Sequence, residues 1–141
     1  MKIDVKKLNK GVLERGIRLV VLFGSQAEKK ARSDSDYDIA VLTTNKKNIK
    51  ELDNYNNALF FLCEALNIPD YKMDLTNLND ASPFLMNEIT RSSRLIFGDG
   101  DDFAAFKANA MREYIATRGL RELEEKLIIK RQKILAEKIY A

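Results

Sequence analysis

No histidine occurs anywhere in these 141 residues, and that absence removes more chemistry than any other feature of the composition. A Ser-His-Asp triad, a Cys-His pair, an imidazole general base and an HExxH zinc site are all excluded. Any reaction must rest on carboxylates, hydroxyls, amines and backbone groups, an inventory suited to hard, oxygen-seeking cations. Cysteine is nearly as scarce. The single Cys63 rules out an internal disulfide and fits a reducing cytoplasm; within FFLCEAL it reads as a small buried hydrophobe rather than a reactive thiol. Long apolar runs are missing too, since no stretch approaches the roughly 20 residues of a membrane span. The start, MKIDVKKLNKGVLERG, lacks the continuous apolar segment of a signal peptide. Charge of one sign is weak: a net +3 with acids and bases interspersed leaves no concentrated basic patch for nucleic acid. The expectation is a cytoplasmic protein of one domain over residues 1–141, with 45% hydrophobic residues to build its core.

What is present alternates between helical and extended patterns. Val5, Leu8, Val12 and Leu13 stand among lysines at helical spacing, predicting an amphipathic helix over 5–15 that ends at Gly16. The run IRLVVLF, 17–23, predicts a buried strand. Gly24-Ser25 breaks it, with Ser25 as N-cap of a helical turn over 26–30 and a turn cluster at Ser33-Asp34-Ser35. YDIAVLT, 37–43, is the second strand. Apolar residues at 49, 52, 55, 59, 62 and 66 predict a helix over 48–66, followed by a third strand, YKMDL, at 71–75. A helix over 83–89, capped by Asn79 or Ser82, leads to a fourth short strand, RLIF, at 94–97. Helical residues 103–140 close the chain, with a break expected at Arg118-Gly119. The order predicts a small α/β (α+β) domain: about four strands in a mixed sheet, a core over about 17–100, and C-terminal helices over about 102–140.

The residues that carry chemistry sit around the second strand. Asp36 and Asp38 are two apart, so in an extended chain they project to one face while Tyr37, a packing residue, faces the other. Two adjacent carboxylates do not both stay ionised cheaply unless a cation lies between them, and Mg²⁺ takes carboxylate oxygens together with substrate phosphates. Asp74 lies mid-strand between Met73 and Leu75; if its strand pairs beside the second, three acids converge, enough for two metal ions. Gly24 allows close backbone approach, and Ser25 with the following N–H groups offers a cradle for phosphate. A bland alternative stands beside each: Asp36 and Asp38 at a solvent edge, Asp74 as an edge-strand acid, Gly-Ser as a plain turn.

Gly24-Ser25, ten residues, and Asp36-Tyr37-Asp38 before Ile39-Ala40-Val41 resemble the GS…DxD signature of the DNA polymerase β-like nucleotidyltransferase superfamily. The segments MDLTNLNDASPFLMNEITRSSRLIF and DDFAAFKANAMREYIATR resemble, more closely, the minimal nucleotidyltransferase (MNT) antitoxins paired with HEPN ribonuclease toxins. The likeness spans roughly residues 17–118. It implies the nucleotidyltransferase fold and transfer of AMP from ATP to a hydroxyl, the acceptor being a tyrosine of a partner HEPN toxin. It further implies Asp36, Asp38 and Asp74 as catalytic ligands of two Mg²⁺ ions (Mn²⁺ as an alternative), Gly24 and Ser25 as the triphosphate grip, and Arg32 as a phosphate contact. One departure is plain: relatives often read Arg-Gly soon after Gly-Ser, where this chain has Glu28-Lys29. An acid there disfavours a triphosphate, and Lys29 and Lys30 offset it.

Two other functions fit the same residues: an antitoxin that only occludes its partner, and a small-molecule transferase of the aminoglycoside-modifying type. Asp99, Asp101 and Asp102 lack the spacing of a calcium loop and read as a helix start. The segment GLRELEEKLIIKRQKILAEKIYA carries a broad apolar stripe; the default expectation is packing on its own domain, with contact to a second copy or a toxin as the alternative.

Overall fold

The computed structural model describes residues 1–29, 32, 35–44, 49 and 52–140. Helix α1 (Val5–Glu14) is capped by the Asp4 carboxylate, which accepts from the Lys7 N–H at 3.2 Å, and it buries Leu8, Gly11 and Val12. Strand β1 (Ile17–Phe23) runs into a four-residue helix, α2 (Gly24–Ala27), and β2 (Tyr37–Thr43) follows. Helix α3 (Leu52–Leu66) and a 3₁₀ turn (Asp70–Lys72) lead to β3 (Met73–Asn77). A second 3₁₀ turn (Leu78–Asp80), α4 (Pro83–Arg91), β4 (Arg94–Phe97), α5 (Gly100–Ala116) and α6 (Arg118–Tyr140) complete the chain. The sheet order is β3-β2-β1-β4, with β2 and β3 parallel and the other pairs antiparallel, so the expected mixed sheet of four strands with flanking helices is the observed fold. The parallel pair requires a crossover, and α3 supplies it.

Alternation along the strands sends side chains into two cores. Val20, Leu22, Ile39, Val41 and Leu75 meet Leu8 and Val12 of α1 and Phe61, Leu62 and Leu66 of α3. Leu19, Val21 and Ala40 meet Leu78, Ile89 and Phe103 on the opposite face, under α4 and α5. Among the described residues only Thr43 is both buried and polar, and Asn79 satisfies it: its Oδ1 accepts from the Thr43 N–H and hydroxyl, and its Nδ2 donates to the Thr43 carbonyl. This lock ties the end of β2 to the turn beyond β3.

Several local expectations are corrected. Ser25 is not an N-cap: α2 begins at Gly24, two residues earlier than expected, Phe23 holds the cap position, and no side chain bonds there. The third strand starts at Met73 because Pro69 directs residues 70–72 into a 3₁₀ turn. Asn79 falls in the turn that locks Thr43, and Ser82 caps α4 by accepting from the Leu85 N–H at 3.2 Å. Asp99 caps α5 by accepting from the Asp101 N–H at 2.7 Å, the helix start expected there. Lys30, Ser33, Asp34 and the proposed start of α3 at Asn48 lie outside the described residues.

The largest correction concerns the C-terminus. Expected to pack on its own domain, α6 instead leaves Leu120, Leu123, Leu127, Ile128, Ile129, Ile134, Leu135 and Ile139 all between 44% and 73% exposed. The reason is geometric. Helices α1 and α3 already cover one face of the sheet and α4 and α5 the other, so a sixth helix has no sheet surface left. Cys63 is half-buried and unpaired, and burial first, then the Asp70 carboxylate, push its thiol up, away from reactivity. Among the described residues, no helix is long and apolar enough to cross a membrane.

Candidate active site

The site forms where β1 ends and β2 and β3 begin. Asp38 lies directly across from Phe23 of β1 on one side and from Asp74 of β3 on the other. Because Ile39 and Leu75 turn into the core beneath α3, Asp38 and Asp74 must turn to the opposite face. The condition set by the sequence, that the third strand pair beside the second, is met in register. Asp38 is half-buried, whereas Asp36 and Asp74 are exposed. Burial raises the Asp38 carboxyl above its usual range, and the negative charges of Asp74 and then Asp36 raise it further, with a side-chain hydrogen bond to Asp74 acting the same way. The three acids therefore share one electrostatic neighbourhood.

Gly24 faces the same carboxylate. Its φ is +72°, a left-handed conformation that L side chains rarely adopt. A Cβ there would overlap the nearer carboxylate oxygen of Asp38 and stand 3.1 Å from its Cγ. Glycine is thus required twice at this position, by the backbone and by the acid pressed against it. Ser25 is half-buried in the first turn of α2, and its hydroxyl makes no hydrogen bond among the described residues. Gln26 ties α2 to the approach of β2 by donating from Nε2 to the Ser35 carbonyl at 3.3 Å.

Arg32 is placed differently. Its backbone N–H donates to the Ser35 hydroxyl at 2.8 Å, closing a local turn, but its exposed side chain has no hydrogen bond or ion pair with the acids among the described residues. One contributor was hidden in the sequence. Tyr55 stands at a helix-face spacing and reads simply as core, yet its hydroxyl donates to the Leu75 carbonyl at 2.8 Å. Burial and the Asp74 charge raise this phenol, so it lies close enough to feel the acid and holds the strand that carries it. A polar tip on an otherwise apolar helical stripe was the available signal.

The donor set suits a hard cation: oxygen ligands only, clustered so that burial and the neighbouring carboxylates disfavour the charged form of Asp38, which a nearby positive charge would favour. Among the described residues, no three His, Cys, Asp or Glu side chains are grouped so as to hold a metal by themselves. Mg²⁺ does not require such a group, since it takes one or two carboxylates and completes its shell with water and substrate phosphate.

Comparison with known proteins adds an independent line. The family model described as polymerase beta, nucleotidyltransferase matches residues 5–102. The protein adenylyltransferase MntA of Aphanizomenon flos-aquae (strain 2012/KM1/D3) is 29% identical over 100 residues, covering 67% of this chain and 67% of that protein. A solved toxin–antitoxin structure with AMP-PNP superposes with a TM-score of 0.70 at 22% identity, covering 90% of this chain and 99% of that one. The structure of a tri-AMPylated Shewanella oneidensis HEPN toxin in complex with MNT antitoxin gives 0.64 at 22% identity, with coverage of 89% and 92%. At such identities the structural likeness establishes the fold.

Proposed function

The chain belongs to the polymerase β nucleotidyltransferase family, and from that premise we propose that it transfers AMP from ATP to a tyrosine of a cognate HEPN toxin, the tyrosyl oxygen bonding to the α-phosphorus as pyrophosphate leaves. The observation that carries this reading is the meeting of Asp38 and Asp74 across β2 and β3, with the Gly24 turn pressed against the Asp38 carboxylate. The relatives point to a toxin as the acceptor protein, one being a protein adenylyltransferase and another bound to an AMPylated HEPN toxin; the tyrosine rests on the family resemblance.

Each residue then has a task. The Gly24-Ser25 turn presents backbone N–H groups and a hydroxyl with no hydrogen bond among the described residues, which suit the anionic tail of ATP. Asp36, Asp38 and Asp74 would hold Mg²⁺, whose charge neutralises the triphosphate and acidifies the acceptor hydroxyl. Asp74, exposed at the edge strand, is the acid best placed to orient and receive the proton of an incoming tyrosine. Tyr55 keeps that strand in place. Positioning and electrostatics supply the acceleration, as in phosphoryl transfer generally.

The test uses α-labelled ATP, Mg²⁺ and the HEPN protein proposed as the partner of this chain. Label is expected on the partner, and Asp38→Asn or Asp74→Asn should reduce its appearance by at least about 100-fold while leaving the fold intact. If the partner is silenced without label, and equally well by both variants, neutralisation is by occlusion and the transferase reading fails. Label on an aminoglycoside instead of the protein would sink the choice of acceptor alone.

A further inference from the structure

Helix α6 spans 23 residues, about 35 Å, and apart from half-buried Arg121 its described residues are exposed. Leu120, Leu127 and Ile134 recur every seven residues, with Leu123, Ile128 and Leu135 flanking them, so one side of the helix is an apolar stripe. Such a continuous apolar face is more than a monomer ordinarily leaves in water. Three charges lie within it, each seven residues from the next: Glu124, Arg131 and Lys138. Neighbouring charges are already engaged, since Arg118 pairs with Glu122 at 3.3 Å and Arg121 lies 3.8 Å over the Tyr114 ring. Glu124 and Arg131 have no ion-pair partner among the described residues.

We infer that α6 is a self-recognition surface, pairing antiparallel with α6 of a second copy of this chain. In the register that sets Leu127 opposite Ile128, Leu120 meets Leu135 and Glu124 meets Arg131, and the two-fold axis repeats both contacts. Parallel pairing would set Glu124 against Glu124 and Arg131 against Arg131, so the charge pattern selects the orientation. The antiparallel register also explains a cavity of about 420 Å³ lined by Pro83, Phe84, Thr117 and Leu120, at the corner where α4 meets the start of α6. Leu135 and Ile139 of the second copy arrive at that corner and fill it. The pairing does not depend on the proposed activity, because α6 lies outside the residues that match the family.

Sedimentation equilibrium on the full chain should show a dimer below about 100 µM. Glu124→Arg or Arg131→Glu alone should weaken it about tenfold or more, and the two together should restore it, because opposite charges again face each other. In a Cys63→Ser background, Leu127→Cys should cross-link to itself on mild oxidation, whereas Leu120→Cys should not. Overturning results are a monomer throughout that range, a dimer indifferent to both charge reversals, or self-linking by Leu120→Cys as readily as by Leu127→Cys. A chain that stays monomeric yet binds another protein through α6 gives the surface to that partner and overturns the pairing as well.

Discussion

Replacing Gly24 by alanine strains the backbone and displaces an acid in one step. At φ +72° an L side chain meets its own carbonyl, a penalty of about 1–2 kcal/mol. In a chain of 141 residues that corresponds to a fall in Tm of roughly 3–7 °C. The functional effect should be larger than the thermal one. The added Cβ overlaps an Asp38 carboxylate oxygen and lies 3.1 Å from Cγ, where ordinary contact is 3.4–4 Å, so the carboxylate must rotate or retreat. A shift of about 1 Å at a reacting centre is worth on the order of 100-fold in rate. Single-turnover transfer of labelled AMP, measured beside thermal melting, separates the two effects. Gly119→Ala serves as the control, because nothing lies within 4 Å of the new Cβ. If Gly24→Ala melts lower as expected but transfers AMP within threefold of the parent, Asp38 is not at the reacting centre and the site is misassigned. If Tm does not move at all, the left-handed turn itself is wrong.

Other perturbations separate stability from chemistry. Asp38 is raised by burial and by Asp74 and Asp36, so its contribution to stability is fully present below the unfolded value of 3.8 and is lost as pH rises through its folded value. Asp38→Asn should therefore raise Tm at pH 7 without Mg²⁺, with the gain vanishing below pH 3.8; equal gains at both pH values would contradict the electrostatic account. Asn79→Ala strands the buried Thr43 N–H and carbonyl, and should destabilise by about 2–4 kcal/mol in urea unfolding. Gly11→Ala drives a methyl into the buried Phe61 ring, so despite the better helix propensity of alanine it should lose about 1–3 kcal/mol while AMP transfer by the folded protein is unchanged.

Much of the site could be read along the chain because its parts are local. The apolar run into Gly24-Ser25, and the two-residue step from Asp36 to Asp38, each lie within a few residues, where alternation and glycine conformation dictate geometry. Absence of histidine narrowed the chemistry for the same reason: composition does not depend on fold. Arg32 matches a family position, and its side chain has no hydrogen bond or ion pair with the acids among the described residues. Tyr55 was invisible as a polar contributor because helical spacing reports which face is buried, not what the tip of a side chain meets there.

Order of elements and sheet composition were thus settled by the amino-acid sequence, through propensities and periods that act over a turn or a strand. Only the tertiary structure decided that Asp74 lies opposite Asp38, since strand pairing across α3 joins residues distant in the chain. It also decided that α6 stands clear of the domain. An amphipathic pattern specifies that a helix will be covered, but what covers it depends on how much surface the other helices have already taken.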